Sequence, residues 1–163
     1  MKIESLKDLL VHELKDLYSA ESQIAKALPK MEEAASNEEL KQAFRNHLNE
    51  TEGQIERLLT IFEEFNYAAR GQKCEAAAGL IEEGEEIIKE LAAGDLRDAA
   101  LIGAAQRVEH YEMAGYGTAR TFAEVLGLSK VQSLLQETLD EEGKTNKLLT
   151  KISKKLNRQA AGV

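Results

Sequence analysis

Four stretches of this 163-residue chain return apolar residues every three or four positions, turn after turn, and no stretch alternates with the two-residue period of a strand. That pattern restricts the chain to an all-α fold in which long helices bury one stripe each. The first stripe reads Leu6, Leu10, Glu13/Leu14, Leu17, Glu21, Ile24, Leu28 and Met31, from an N-cap at Ser5 to about Ala35. The only proline, Pro29, falls late in it and is expected to kink it or remove one backbone hydrogen bond. The second stripe is Leu40, Phe44, His47, Thr51, Ile55, Leu58 and Phe62; it opens on the capping-box spacing of Ser36 and Glu39 and ends near Asn66. The third runs from a cap at Asp95 to about Leu126, with Gly127 as its stop. The fourth starts at Ser129, with Gln132 repeating the capping-box spacing, and continues to about Asn157; 158–163 read as a frayed tail.

Between the second and third stripes, "NYAARGQKC" reads as a loop and "EAAAGLIEEGEEIIKELAAG" as a shorter helix closed by Gly94. Antiparallel neighbours need only a few linking residues, so a connection over 67–94 implies a crossover between two helical hairpins. The ferritin-like bundle is one of two topologies that fit, and the whole of 1–163 makes a single domain. A weak internal repeat agrees: a shift of 91 residues lays Glu21 on Glu112, Glu50 on Glu141 and Thr51 on Glu142.

Each long stripe carries a hydrophilic interruption about halfway along. These are Glu21; His47 with Glu50, Thr51 and Gln54; Glu109 and Glu112 in "VEHYEMAGYGT"; and Glu141/Glu142 with Thr145 and Asn146. Taken singly, Glu13, Glu50 or Glu109 reads as a solvated side chain at a stripe edge, and His47 as a hydrogen-bonded core residue. His12 and His110 read as surface residues, Glu82–Glu86 as a solvated helix face, and Tyr111 and Tyr116 as packing groups that donate a hydrogen bond. The coincidence at matching heights in four helices outweighs these readings. Carboxylates converging in a core repel each other and shift upward in pKa unless cations neutralise them, and two divalent ions with a histidine nitrogen are the usual resolution. Gly53, Gly103, Gly115, Gly117 and Gly143 lie inside the helices at about 1 kcal/mol each relative to Ala, an expense that close helix approach or room for a tyrosine would offset.

The segments "LKDLYSAESQIAKALPKM", "HLNETEGQIERL", "KCEAAAGLIEEG", "VEHYEMAGYGT" and "TLDEEGKTNKLL" resemble, in that order, the YciE/YciF family of ferritin-like bacterial proteins, over about Leu6 to Leu156. The resemblance implies a four-helix bundle with a short fifth helix in the crossover between helices two and three. It also implies a homodimer, a link to general stress response and a rubrerythrin-like di-metal site, usually di-iron. Carried over by position, the ligands are Glu21, His47, Glu50, Glu109, Glu112 and Glu142, with Glu141 competing for the last place. Glu142 is preferred because it continues Val131, Leu135 and Thr138 on one stripe. Thr51, Gln54, Tyr111, Tyr116 and Asn146 are the supporting positions. The wider ferritin pattern places Glu-x-x-His on helices two and four. Here the second helix reads His47-x-x-Glu50 and the fourth has no histidine, an oxygen-rich set suited to Mn or Mg as well as Fe.

A net charge of −8 argues against a basic nucleic-acid-binding face. One cysteine, Cys74, excludes an intramolecular disulfide and a cysteine zinc cluster. The N-terminus "MKIESLKDLLVHELKDL" is too charged for a signal peptide or membrane span, so a cytoplasmic location is the default. The leading expectation is a dinuclear metalloprotein with oxidase- or peroxidase-like chemistry. The alternative is a structural or interaction helical dimer without catalytic metal chemistry.

Overall fold

The computed structural model describes residues 2–70 and 72–162. Five helices follow in order: α1 Leu6–Ala34, α2 Glu38–Phe65, α3 Glu75–Glu90, α4 Asp95–Val125 and α5 Ser129–Ala161. Among the described residues there is no strand, and no helix is long and apolar enough to cross a membrane. The hairpins α1–α2 and α4–α5 pack edge to edge through α1 against α4 and α2 against α5, while the crossover helix α3 lies outside against α1 and α4. Cross-links between distant parts of the chain give the directions. Arg97 at the start of α4 donates to Ala34 O at the end of α1, whereas Tyr116 further along α4 reaches Glu21 further back in α1, so these two helices are antiparallel. Lys130 pairs with Glu64 and Thr145 with Glu50, so α2 and α5 are antiparallel too. One long crossover joining two antiparallel hairpins is the ferritin-like arrangement.

Helix starts differ from the sequence expectation at three places. Asn37, not Ser36, caps α2 by accepting from Leu40 N at 3.1 Å. Ser36 is drawn elsewhere: its N–H donates to Asp98 Oδ1 at 2.8 Å, and Asn37 N–H to Asp98 Oδ2 at 2.7 Å. Gly94, at φ 139°, turns the chain into α4, so Asp95 becomes the first helical residue, where its charge still favours the helix N-terminus. Leu128 precedes α5 with no side-chain cap, leaving Ser129 inside the helix. Pro29 lies within α1 without ending it, and α5 continues beyond Asn157 to Ala161 before Gly162 adopts a left-handed cap.

The apolar core is divided in two. One half gathers Leu10, Leu14, Leu17, Leu58, Phe62, Tyr116, Val131 and Leu135; the other gathers Ile24, Leu28, Leu40, Phe44, Leu101, Ile102, Leu149 and Ile152. Between them, halfway along all four long helices, lies a slab of buried polar side chains.

The glycines do not behave as a group. A Cβ on Gly115 would sit 2.8 Å from Leu17 Cδ2, so α1 and α4 approach closely there. Gly53, Gly117 and Gly143 face open space, and Gly103 meets only the tip of Arg107, so close packing does not explain these four.

Candidate metal centre

Glu21, His47, Thr51, Gln54, Glu109, Glu112, Thr138, Glu142 and Thr145 are the buried polar residues of that slab. Each helix reaches it by helical spacing: Glu21 continues the stripe of Leu14 and Leu17, and Glu109 and Glu112 share one face of α4 three residues apart. One ligand atom from each of His47, Glu109, Glu112 and Glu142 can be chosen so that all four lie within 4.8 Å of one another, a grouping able to hold a cation. His47 Nδ1 is 3.0 Å from Glu109 Oε1. Glu21 stands beside this group, with Oε1 accepting a 2.5 Å hydrogen bond from Tyr116.

Burial pushes Glu21 and Glu109 up to about 8 and Glu142 to about 9. For Glu21 the charge of Glu142 adds to burial, and donation from Tyr116 opposes it. Glu112 rises well above the carboxyl range, by burial and then by the charges of Glu21, Glu142 and Glu109. Burial and the nearby Glu21 likewise hold Tyr116 in its neutral, proton-donating form.

The internal hydrogen bonds leave much of this chemistry unanswered. With the carboxyls ionised, Glu21 Oε2, His47 Nε2, Thr51 Oγ1, Glu109 Oε2, both oxygens of Glu112 and Glu142 Oε2 are buried without a partner; when protonated, Glu112 can donate to Glu21 and Glu142 to Glu109. Unpartnered buried polar atoms are rare and expensive, at about 1–3 kcal/mol each. So many facing one another fit a group that accepts lone pairs, which is what a metal ion does.

The remaining expected positions separate into those at the slab and those beside it. Adjacent glutamates on α5 face opposite demands. Glu142 is 1 % exposed and sits in the cluster, whereas Glu141 is bound by Arg57 through both oxygens. Gln54 bridges the two, donating to Glu141 at 3.1 Å and to Glu142. Glu50 is half-buried and accepts from Thr145 at 3.0 Å, one turn from His47. Asn146 turns to α4, where its Oδ1 accepts from Gln106 at 3.0 Å. Tyr111 donates to Asp16 and lies 2.8 Å from Cys74 Sγ, so the buried cysteine belongs to a polar network beneath the start of α3. His110 is exposed and bonds its own helix at Gln106 O.

Thr138 and Thr145 complete the slab, and the 91-residue repeat carries the signal for them. His47 maps on Thr138, Thr51 on Glu142 and Gln54 on Thr145, and all six are buried. The two halves of the bundle therefore place polar side chains at equivalent positions but fill them with different chemistry.

A model of the family described as Domain of unknown function (DUF892) matches residues 5–162. The chain belongs to this family. Protein YciF of Escherichia coli (strain K12) is 50% identical over 154 residues, which cover 94% of this chain and 93% of that protein. The crystal structure of the E. coli stress protein YciF superposes with a TM-score of 0.92 at 48% identity, covering 96% of this chain and 99% of that one. YcfI from Rhodopseudomonas palustris gives 0.88 at 45% identity, over 91% and 95%. A Xanthomonas campestris protein, 18% identical, shares the fold with a TM-score of 0.76 over 93% of each chain.

Proposed function

We propose that this member of the DUF892 family is a metalloprotein holding two divalent cations, iron by preference, among Glu21, His47, Glu109, Glu112 and Glu142. The observation that carries the reading is the convergence of four buried carboxylates and one histidine, each of which keeps at least one polar atom without an internal partner. Charge balance supports two. Four ionised carboxylates in a low-dielectric core carry −4, which two divalent ions cancel; a single ion would leave two carboxyls to be held protonated. The donor set, one nitrogen among oxygens, accepts Fe, Mn or Mg. Iron, when bound, supplies one-electron redox chemistry. The chain's own contributions are to orient the carboxylates, to hold Glu21 through Tyr116, and to hold Glu142 through Gln54. Because the E. coli relative is a stress protein by name, a role in stress response belongs to the same reading.

Metal analysis of protein purified without chelator, with diffraction at the iron edge, tests this. Two ions per chain, lowered sharply by Glu112→Gln or Glu142→Gln, are expected. A metal-free core whose carboxyls are protonated or bridged by water would overturn the reading and favour a purely structural bundle.

A further inference from the structure

The second half of α5 carries a run of cations that the metal centre does not use. Lys144, Lys147, Lys151, Lys154, Lys155 and Arg158 are all exposed, and no Asp or Glu follows Glu142 in the chain. At about 3.6 residues per turn the six positions share an arc of about 100° and run roughly 21 Å along the helix. Thr145, Leu149, Ile152 and Leu156 are buried on the other side, so the stripe faces away from the bundle. Before Lys144 the same arc turns acidic at Asp140 and Glu137, which sets the stripe's limit.

Folding does not account for it. Like charges three or four residues apart on a helix oppose each other. Lys144–Lys147, Lys147–Lys151, Lys151–Lys154, Lys151–Lys155, Lys154–Arg158 and Lys155–Arg158 are such pairs. Only Lys144 has carboxylates at that spacing, those of Asp140 and Glu141. Among the described residues none of the six cations lies in an ion pair. The helix dipole favours cations only in the last turn, which reaches Arg158 but not the lysines before it. The net charge of −8 conceals the stripe by averaging it with carboxylates elsewhere on the surface. At physiological ionic strength exposed charges more than about 8 Å apart are largely screened, so a bound partner meets the local face rather than the sum.

The form of the stripe selects its partner. A second copy offers the exposed Glu82, Glu83 and Glu86 of α3, but separate Lys–Glu pairs in water contribute little. A lipid surface takes apolar side chains beside the cations, and none of the large exposed hydrophobic residues, Ile3, Tyr67, Leu96 and Val125, belongs to α5. Single-stranded nucleic acid stacks its bases on aromatic side chains, and 144–158 contains none. Duplex DNA asks only for the cations. It carries one charge per about 1.7 Å of axis, and each phosphate neutralised releases condensed counterions. We propose that this face of α5 is a docking surface for the sugar-phosphate backbone of duplex DNA, bound without regard to base sequence. It goes beyond the metal reading and does not depend on it.

Fluorescence anisotropy of the full chain with two labelled duplexes of unrelated sequence, between about 50 and 200 mM salt, tests this. The logarithm of the binding constant should fall linearly with that of the salt concentration, equally for both duplexes and no more steeply than about −5, the slope for six phosphates. Lys151→Gln with Lys155→Gln should reduce the slope by about 2 on both duplexes, and Lys147→Gln with Lys154→Gln should do the same. Melting temperatures of these variants should stay level or rise, because like-charged neighbours are removed. Lys2→Gln with Lys73→Gln, cations already paired with Glu4 and Glu75, should leave binding unchanged. No binding at the lowest salt, binding that neither stripe variant weakens, or tighter binding to a single strand refutes the proposal. Capture by anionic vesicles without duplex binding, or salt-reversible self-association without it, also refutes the proposal and assigns the stripe to a membrane or to a second copy. The result should be the same in EDTA as with metal bound, so its failure leaves the metal reading standing.

Discussion

Removing metal should make this protein lose stability as pH rises through neutrality, the opposite of what ordinary ion-paired carboxylates do. Glu21 and Glu109 are raised by burial from 4.5 to about 8, and Glu142 to about 9. Between about pH 5 and 8 the folded cluster therefore holds protons that the unfolded chain has released. Stability is fully present below the unfolded value and is lost as pH climbs towards the folded one. Each net proton held contributes a slope of about 1.4 kcal/mol per pH unit, so one proton accounts for about 3 kcal/mol between pH 5.5 and 7.5. The carboxyls titrate as one coupled group, and protons are counted for the cluster rather than for any member. For a chain of this length that corresponds to a fall in Tm of roughly 6–12 °C. Thermal melts in EDTA at pH 5.5, 6.5 and 7.5, at constant ionic strength, measure it. Glu112→Gln removes one titrating group and should flatten the slope. Added Mn or Fe should reverse it, because metal binding strengthens as its ligands deprotonate. A Tm that stays level or rises with pH in the chelated wild-type protein would show that these carboxylates are ionised and solvated, and the buried-cluster argument would fail.

Other perturbations test separate parts of the structure. Tyr116→Phe removes the donor to Glu21 and should weaken metal affinity about 10- to 100-fold in a chelator competition titration, while steepening the pH slope of the metal-free protein. Asp98→Ala takes away the acceptor of two backbone N–H groups at the α1–α2 turn and should cost about 2 kcal/mol in urea unfolding, with metal content unchanged. Gly115→Ala forces a Cβ against the buried Leu17 and should destabilise by about 1–3 kcal/mol, whereas Gly53→Ala meets open space and should stabilise by up to about 1 kcal/mol. The two glycine variants are read by the same denaturant titration, and equal effects would refute the close-approach argument.

Much of the site was legible because helical period and side-chain chemistry are both local. Glu21, His47, Glu112 and Glu142 each interrupt an apolar stripe in phase, and in-phase residues of a long helix must enter the core. That Glu142 rather than Glu141 turns into the buried cluster also followed from phase. A shift of one residue turns a side chain by about 100°, which is why Glu141 meets Arg57 at the bundle's edge instead. Asn146, by contrast, lies four residues beyond Glu142 and still turns to Gln106, because α4 there offers an amide donor that no reading of α5 alone reveals.

By itself, then, the chain determined that there are four long helices and a crossover, which face of each is buried, and that carboxylates interrupt those faces at one height. Periodicity encodes these things residue by residue. Only the tertiary structure decided where α2, α4 and α5 start and which contacts form inside the bundle. Asn37 takes the cap of α2 in a turn whose two N–H groups, those of Ser36 and Asn37, are both bound by Asp98, about sixty residues on. Only Gly115 among the helical glycines lies in a tight approach, because that depends on where Leu17 of another helix lies. A cleft lined by Ile24, Ala105, His47 and Glu109 lies where α3 crosses α1 and α4. Such features are set by distances between parts of the chain far apart in sequence, and the local pattern of residues does not encode those distances.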